Sequence, residues 1–233
     1  MFGFENKEKK AETLFRQGNQ YYQQKQFSKA IQEYTQALHI FEGSGIYFNR
    51  GRAYQYNNEY DKAIADYTKT ISIDSKHYGA YCARAGVYLR MENIDKAISD
   101  LNEAIRIEPN DEWAYGLRGD AYADKGENDK AISDYTKALS LNPQDMDGLY
   151  FNRALVYQNK GLNEKAIEDY TNSINKNPRN SGAYFNRGKI YSDLHEYDNA
   201  IADFRHVLRI DPNHQKAKNM ENLLMMQKHI KLD

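Results

Sequence analysis

The amino-acid sequence predicts an all-α protein, a solenoid of antiparallel helix pairs. Three observations predict this class: a repeat of 33 to 35 residues, small and aromatic residues at helical spacing inside each repeat, and prolines found only at repeat ends. One pair of short helices buries too little apolar surface to fold alone, since ordering costs about 1.5 kcal/mol per residue. Neighbouring pairs must therefore share their apolar faces, which is the arrangement of a solenoid.

Six alanines define the repeat, at spacings of 33, 34, 34, 35 and 34 residues. They are Ala30, Ala63, Ala97, Ala131, Ala166 and Ala200. A tyrosine lies nine residues before each alanine, and a glycine or alanine lies three residues before each of these tyrosines. An aromatic residue or leucine lies four residues after each alanine. Six units in one register indicate an array of equivalent structural elements.

Each unit is interpreted as two helices. In the fourth unit, Tyr115, Gly119 and Tyr122 fall at i, i+4 and i+7, which places them on one stripe of a first helix. Ala131 and Tyr135 form the matching stripe of a second helix. The small residues let the two helix axes approach closely, and the tyrosines fill the space above and below them.

The last four units end at prolines, which are all the prolines of the chain. They are Pro109, Pro143, Pro178 and Pro212. The residue before a proline is disfavoured in the α region, so each proline ends a second helix. The chain that follows has an amphipathic pattern, which predicts one more helix. We therefore divide the sequence into an N-terminal extension (1–10), a single six-repeat solenoid (11–214), and a capping helix with its tail (215–233).

Composition excludes several functional classes. With 32 basic and 33 acidic residues the net charge is −1, which argues against nucleic-acid binding driven by phosphate neutralisation. No apolar run is long enough for membrane insertion. Cys82 is the lone cysteine, the histidines lack metal-ligand spacing, and no phosphate-binding loop or nucleophile motif occurs. We expect no enzymatic activity and no cofactor. The missing secretory signal, membrane span and disulfide predict a cytoplasmic location.

A charged pattern runs through the same register. Five units carry arginine just before the small residue and aspartate three residues after the repeat alanine, 16 residues apart. The predicted structural ion pairs are Arg50 with Asp66, Arg84 with Asp100, Arg118 with Asp134, Arg153 with Asp169, and Arg187 with Asp203. The alternative is a ladder of arginines that reads an acidic ligand. Guanidinium-to-carboxylate distances beyond about 4 Å would reject the pairing.

In this register the units resemble the tetratricopeptide repeat, a helix–turn–helix unit of 34 residues. The resemblance spans about residues 11–214, and the fourth unit (112–145) matches every signature position. It implies a right-handed superhelical α-solenoid whose first helices line a concave groove. By this resemblance, the candidate groove residues are Asn19, Asn49, Asn152, Asn186, Phe48, Phe151, Phe185, Tyr56, Arg52, Arg90 and Trp113. The asparagines would hydrogen-bond a peptide backbone, and Trp113 would anchor an apolar side chain.

The middle of this groove is predicted to be wide and smooth. Ala83 and Leu117 interrupt the row of asparagines, and Gly86 and Gly116 lie near them, so a ligand side chain could enter there. Family members that grip a C-terminal carboxylate use a clamp of lysine, arginine and asparagine. Here Asn19 and Asn49 match that clamp, but its basic positions hold Phe15, Gly79 and Ala83. The clamp is therefore not expected.

The function predicted from these patterns is a non-catalytic protein–protein interaction scaffold or adaptor that binds a peptide or segment of a partner in the concave groove. One alternative is an accessory or substrate-presenting subunit of an enzyme encoded elsewhere. Another is a self-assembling structural solenoid, which would make the protein a homo-oligomer. The sequence does not identify the partner.

Overall fold

A computed structural model describes residues 2–142 and 147–230, and every regular element in those residues is an α-helix. The helices are α1 (Phe2–Gln23), α2 (Phe27–Ile40), α3 (Ser44–Tyr56), α4 (Tyr60–Ile73), α5 (Tyr78–Arg90), α6 (Ile94–Ile107), α7 (Glu112–Asp124), α8 (Asn128–Leu141), α9 (Asp147–Asn159), α10 (Asn163–Lys176), α11 (Ser181–Asp193), α12 (Tyr197–Ile210) and α13 (Gln215–Ile230). The all-α prediction with two helices per repeat is confirmed.

The chain forms two compact units, Met1–Ala121 and Tyr122–Asp233. Inside the first, α1 packs on α2, α3 on α4 and α5 on α6, and the pairs are joined by packing of α2 on α3 and α4 on α5. Inside the second, α9 packs on α10 and α11 on α12, with α8 on α9, α10 on α11 and α12 on α13. In both units each helix thus contacts the next one along the chain, as expected for stacked helix pairs.

The helix ends follow the predicted signals, with one difference. Helices α6, α10 and α12 each stop two residues before a proline, at Pro109, Pro178 and Pro212. The predicted stop at Pro143 and the predicted tail residues 231–233 lie outside the described residues. Helix α1 begins at Phe2, inside the stretch predicted as an extension, since Glu5–Lys10 contains no proline or glycine to interrupt it.

The turn inside each helix pair holds one residue in the left-handed region. In two units this residue is a glycine, Gly126 with φ 78° and Gly161 with φ 72°. The equivalent residues of the other four units are Lys25, Asn58, Glu92 and His195, with φ between 58° and 62°. The backbone then closes the helix, as where the amide of Gln26 donates to the carbonyl of Tyr21 at 2.9 Å. The sharp turn is therefore kept even where glycine is absent.

The second helices carry the core. All six repeat alanines are fully buried, and so are the residues four positions later. The latter are Tyr34, Tyr67, Leu101, Tyr135, Tyr170 and Phe204, each at most 1% exposed. The tyrosines nine residues before the alanines are only half-buried, and a lysine ammonium covers several of their rings, as Lys62 covers Tyr54 at 5.4 Å. Their expected place in the middle of the packing is therefore taken by the aromatic residues of the second helices.

Gly51 shows why the first helix needs a small residue. A Cβ atom at Gly51 would lie 2.8 Å from Cε1 of Tyr67, whereas one at Gly86 would meet nothing within 4 Å. We expect Gly51→Ala to destabilise the protein by about 1–3 kcal/mol through overpacking. The matched change Gly86→Ala should instead stabilise it by up to about 1 kcal/mol, because alanine favours the helix. Urea unfolding of both variants checks this, and the same sign for both would contradict it.

Helix α13 closes the second unit. Its Ala217 and Leu224 are buried, and Met220 and Met225 pack against the same apolar cluster as α12. The ion pair at this seam is inverted relative to the other repeats. Glu221 stands where the preceding helices carry arginine, and it accepts from Nε of Arg205 at 2.7 Å. No further second helix follows with an aspartate, so the cap takes its partner from α12.

Candidate functional site

The ladder arginines form bidentate ion pairs inside their own repeats. Arg50 donates from Nε and Nη2 to the two carboxylate oxygens of Asp66 at 2.7 and 2.8 Å. The same fork joins Arg84 to Asp100, Arg153 to Asp169, and Arg187 to Asp203, at distances between 2.7 and 2.9 Å. All these distances lie below the 4 Å limit that would have rejected the pairing. The pair between Arg118 and Asp134 stays a prediction.

Each arginine also reaches back to the preceding repeat. Nη1 of Arg50 donates to the hydroxyl of Thr35 at 3.1 Å, and Nη1 of Arg187 donates to that of Thr171 at 2.8 Å. Arg84 and Arg153 bond Thr68 and Thr136 in the same way, and Arg118 bonds the side chain of Asn102. These side chains are 15–17% exposed where the fork is given, and their donors are engaged inside the protein. The geometry favours a structural ladder over a reader of acidic ligands.

The phenylalanines of the predicted groove lie half-buried in the seams between repeats. Phe48 packs between Tyr67 of its own unit and His77 of the next, with ring centroids 5.9 and 4.6 Å apart. Phe185 packs in the same way between Phe204 and His214, at 5.7 and 5.1 Å. Phe151 lies 5.8 Å from Tyr170. These rings join repeats, and only their outer edges can face a ligand.

The asparagines lie beside the hydroxyl groups of buried tyrosines. Tyr34 donates to Oδ1 of Asn19 at 2.7 Å, and Nδ2 of Asn49 donates to the same oxygen at 3.4 Å. In the second unit, Asn186 hydrogen-bonds the hydroxyl of Tyr170. Burial raises the pKa of Tyr170, and the contact with Asn186 lowers it in part. Asn19, Asn49 and Asn186 thus satisfy polar groups of the packing seams.

A sequence signal for this role exists. The asparagine positions lie 15 to 17 residues after a buried tyrosine, as in Tyr34 with Asn49, Tyr135 with Asn152, and Tyr170 with Asn186. Where the buried residue has no hydroxyl, the later position is apolar. Leu101 is followed by Leu117, and Phe204 by Met220. An amide is therefore present where a buried hydroxyl needs a partner.

An open groove of about 300 Å³ lies on the first unit between α3, α5 and α7. Its lining residues are Phe48, Arg52, Gln55 and Tyr56 from α3, Tyr78, Gly79, Cys82, Ala83 and Gly86 from α5, and Trp113 and Leu117 from α7. The groove includes the stretch at Ala83, Gly86 and Leu117 that was predicted to be wide and smooth. Among these lining residues Arg52 alone is charged, and Gly79 and Ala83 leave the clamp positions without a cation.

One wall of the groove is an aromatic stack that holds Arg52. Tyr56 is 57% exposed and stacks on Phe27, with centroids 5.4 Å apart. Tyr22 meets the edges of both rings at 5.6 and 5.8 Å. The guanidinium of Arg52 lies over Tyr22 at 4.9 Å and over Phe48 at 5.9 Å. These contacts fix the direction of a side chain that is otherwise flexible.

The opposite wall carries Trp113, which is 62% exposed near the start of α7. This start is held by Asp111, whose Oδ1 accepts from the amide of Ala114 at 3.2 Å and from the hydroxyl of Tyr78 at 2.5 Å. Burial raises the pKa of Cys82 to about 11, so its thiol is neutral at physiological pH. The floor of the groove thus offers apolar contact and no nucleophile. Arg90 is exposed at the end of α5 and does not line the groove.

Sequence reasoning missed Tyr78, Cys82 and Gln55 as lining residues. Gln55 accepts from the hydroxyl of Tyr67 at 2.7 Å, as Gln158 does from Tyr170 at 2.8 Å. The recurrence of glutamine 12 residues before a buried tyrosine was the available signal. Tyr78 and Cys82 lie on the same helix face, four residues apart, but nothing in the repeat pattern marks that face as open.

Models of the tetratricopeptide repeat match almost the whole chain. Those described as "Tetratricopeptide repeat" match residues 11–44, 45–77, 78–111, 148–180 and 181–214, and one described as "TPR repeat" matches residues 119–161. These bounds follow the register of the six alanines. No curated protein matches the chain.

Several solved structures share the fold. The chain is similar to YrrB, described as a TPR protein with an unusual peptide-binding site, with a TM-score of 0.68, 22% identity, and coverage of 81% of this chain and 97% of YrrB. It is similar to pilF of Pseudomonas aeruginosa, with a TM-score of 0.78, 15% identity, and coverage of 93% and 99%. It is similar to MamA, with a TM-score of 0.67, 25% identity, and coverage of 74% and 94%.

Over residues 2–142 and 147–230, no helix is long and apolar enough to cross a membrane. In the same residues, no group of three or more histidine, cysteine or acidic side chains is placed to hold a metal ion. Tetratricopeptide repeat proteins are in general non-catalytic scaffolds that bind peptide or protein partners. The repeat register, the helix pairs and the matches to the repeat models agree from residue 11 to residue 214. The chain belongs to the tetratricopeptide repeat family.

Proposed function

We propose that this protein is an interaction scaffold that binds an extended segment of a partner protein in the groove of its first unit. The observation that carries the proposal is the groove itself, where two largely exposed aromatic side chains, Tyr56 and Trp113, face an apolar floor of about 300 Å³. Exposed aromatic residues around a cleft are the usual anchors of protein interfaces. The fold can carry such a site, since YrrB is described as having one for a peptide.

The groove supports binding better than catalysis. Its thiol is neutral, its single charge is a guanidinium, and Tyr78 is hydrogen-bonded to Asp111. None of these groups is poised to move a proton or attack a substrate near neutral pH. A scaffold role needs only shape, apolar contact and a few polar groups, all of which the groove provides.

The asparagines have a secondary part in this proposal. Asn49 and Asn186 are engaged with the tyrosine seams, so they stabilise the repeats that present the groove. Phe48 lines the groove with one edge of its ring, while the other side packs on His77. The partner therefore meets Trp113, Tyr56 and Arg52 first.

We expect Trp113→Ala to weaken partner binding by about 30-fold, or roughly 2 kcal/mol, because a central aromatic anchor is removed. The measurement is affinity capture from the native lysate with wild type and variant, followed by titration of each captured protein against the purified chain. Trp113 is the one tryptophan of the sequence, so its fluorescence reports groove occupancy directly.

The matched control is Met226→Ala on α13, which truncates a side chain 65% exposed and outside the groove. It should bind partners like the wild type. If Trp113→Ala captures the same partners at the same affinity, the groove of the first unit is not the binding site. Both variants should keep the wild-type circular dichroism, since both side chains lie mostly in solvent.

A further inference from the structure

Arg52 differs from the ladder arginines that are its neighbours in the fold. Arg50 and Arg84 each fork onto a buried aspartate of their own repeat. Arg52 makes contacts with aromatic rings, and no carboxylate of the described residues forms an ion pair with it. Its charge is therefore uncompensated within that part of the chain, at the edge of an otherwise uncharged groove.

The guanidinium is also held in position before any ligand arrives. It lies over the rings of Tyr22 and Phe48, which limit its rotation without occupying its N–H fork. A planar fork with five donors and no acceptor matches a carboxylate. A group fixed in this way loses less conformational entropy on binding than a free arginine does.

The surface next to Arg52 is apolar. Ala83 and Gly86 leave space on the α5 side, while Leu117 and Trp113 supply apolar contact from α7. A volume of about 300 Å³ admits one large side chain together with its backbone. Charge and shape thus specify two adjacent features of a ligand.

We infer that the occupant of the groove is a partner segment that carries an aspartate or glutamate next to a large apolar side chain. The carboxylate pairs with Arg52 and the apolar side chain packs against Trp113. This inference rests on the proposed function and specifies the chemistry of its ligand. The carboxylate belongs to an internal side chain, because the groove has one guanidinium, and the neighbouring Gly79 and Ala83 provide no second cation for a chain terminus.

The test uses a random dodecapeptide library displayed as an N-terminal fusion, in which no peptide has a free carboxyl terminus. The library is selected on the immobilised full-length chain, and the enriched peptides are made with amidated C termini. Binding is followed by Trp113 fluorescence or, for Trp113→Ala, by calorimetry. The variants are Arg52→Gln, Trp113→Ala, and Arg90→Gln as a control that removes an exposed arginine outside the groove.

We expect enriched peptides to share an acidic residue within four positions of a large apolar one. Replacing that acidic residue by its amide should weaken binding to the wild type about tenfold, the effect of one charge-assisted hydrogen bond. The same replacement should change binding to Arg52→Gln less than twofold, while Arg90→Gln should behave like the wild type.

Two results would overturn the inference in different ways. Peptides that need Trp113 but show no acidic preference, or bind Arg52→Gln as tightly as the wild type, would leave the groove as the binding site and remove the carboxylate. A selection that yields no peptide dependent on Trp113 would remove the proposed function as well. Binding only by peptides with a free carboxyl terminus would contradict the internal acidic residue.

Discussion

Replacing Arg50 by methionine is expected to lower the free energy of unfolding by about 3–5 kcal/mol, because it leaves a buried aspartate without its partner. The Asp66 side chain is 7% exposed, and both of its oxygens accept from Arg50. The substitution also removes the bond from Arg50 to Thr35 in the preceding repeat. The loss should therefore weaken both the repeat and its contact with its neighbour.

The size of this loss should depend on pH. Burial raises the pKa of Asp66, while the hydrogen bonds and charge of Arg50 lower it. In Arg50→Met the lowering influences are gone, so the folded protein binds the proton of Asp66 at a higher pH than the unfolded chain does. Because the folded state then holds more protons, the stability of the variant rises as the pH falls from 7 towards about 4. The difference from wild type should shrink in the same direction.

Urea unfolding followed by Trp113 fluorescence measures this effect, since Trp113 lies in the same compact unit as Arg50. The control is Arg106→Met, which breaks an ion pair to Glu103 in which the side chains are 66% and 44% exposed. It should cost less than about 1 kcal/mol at every pH. Equal losses for the two variants, or a loss for Arg50→Met that grows on acidification, would contradict a structural ladder.

The second large effect is expected at Tyr67, which is fully buried beneath the first helix of its repeat. Tyr67→Ala should destabilise the protein by about 3–5 kcal/mol, since it removes a ring and leaves a cavity between α3 and α4. The ring lies against the backbone of Gly51 and 5.9 Å from the ring of Phe48, so its loss also loosens the seam to the next repeat.

Tyr67→Phe is the matched control, because it keeps the ring and removes only the hydroxyl. That hydroxyl donates to Gln55 at 2.7 Å, and Gln55 lines the open groove where water can replace it. We expect a loss of about 1 kcal/mol. The sixth repeat already has Phe204 at this position. If Tyr67→Ala costs no more than Tyr67→Phe, the packing seam collapses without a cavity and the argument from tight packing fails.

Much of the fold could be read from the sequence because the repeat averages away local ambiguity. One alanine predicts little, but six alanines in register with small residues and tyrosines determine where the helices lie and which face of each is buried. The ion pairs were predictable for the same reason, since Arg50 and Asp66 recur with the same spacing in later repeats. The roles of Asn19 and Asn49 were not, because their partners are tyrosine hydroxyl groups on other helices.

The sequence alone determined the helix pairs, their boundaries at Pro109, Pro178 and Pro212, and the buried alanines, since these depend on contacts at fixed spacing within a repeat. Tertiary structure alone decided where the repeats open into a groove. Arg52 is set apart from Arg50 by the aromatic rings of other helices and by the missing aspartate, and Trp113 is exposed because Ala83 and Gly86 leave the space before it unfilled. Exposure and charge compensation depend on which side chains meet across repeats, and a repeat pattern assigns the same surroundings to every equivalent position.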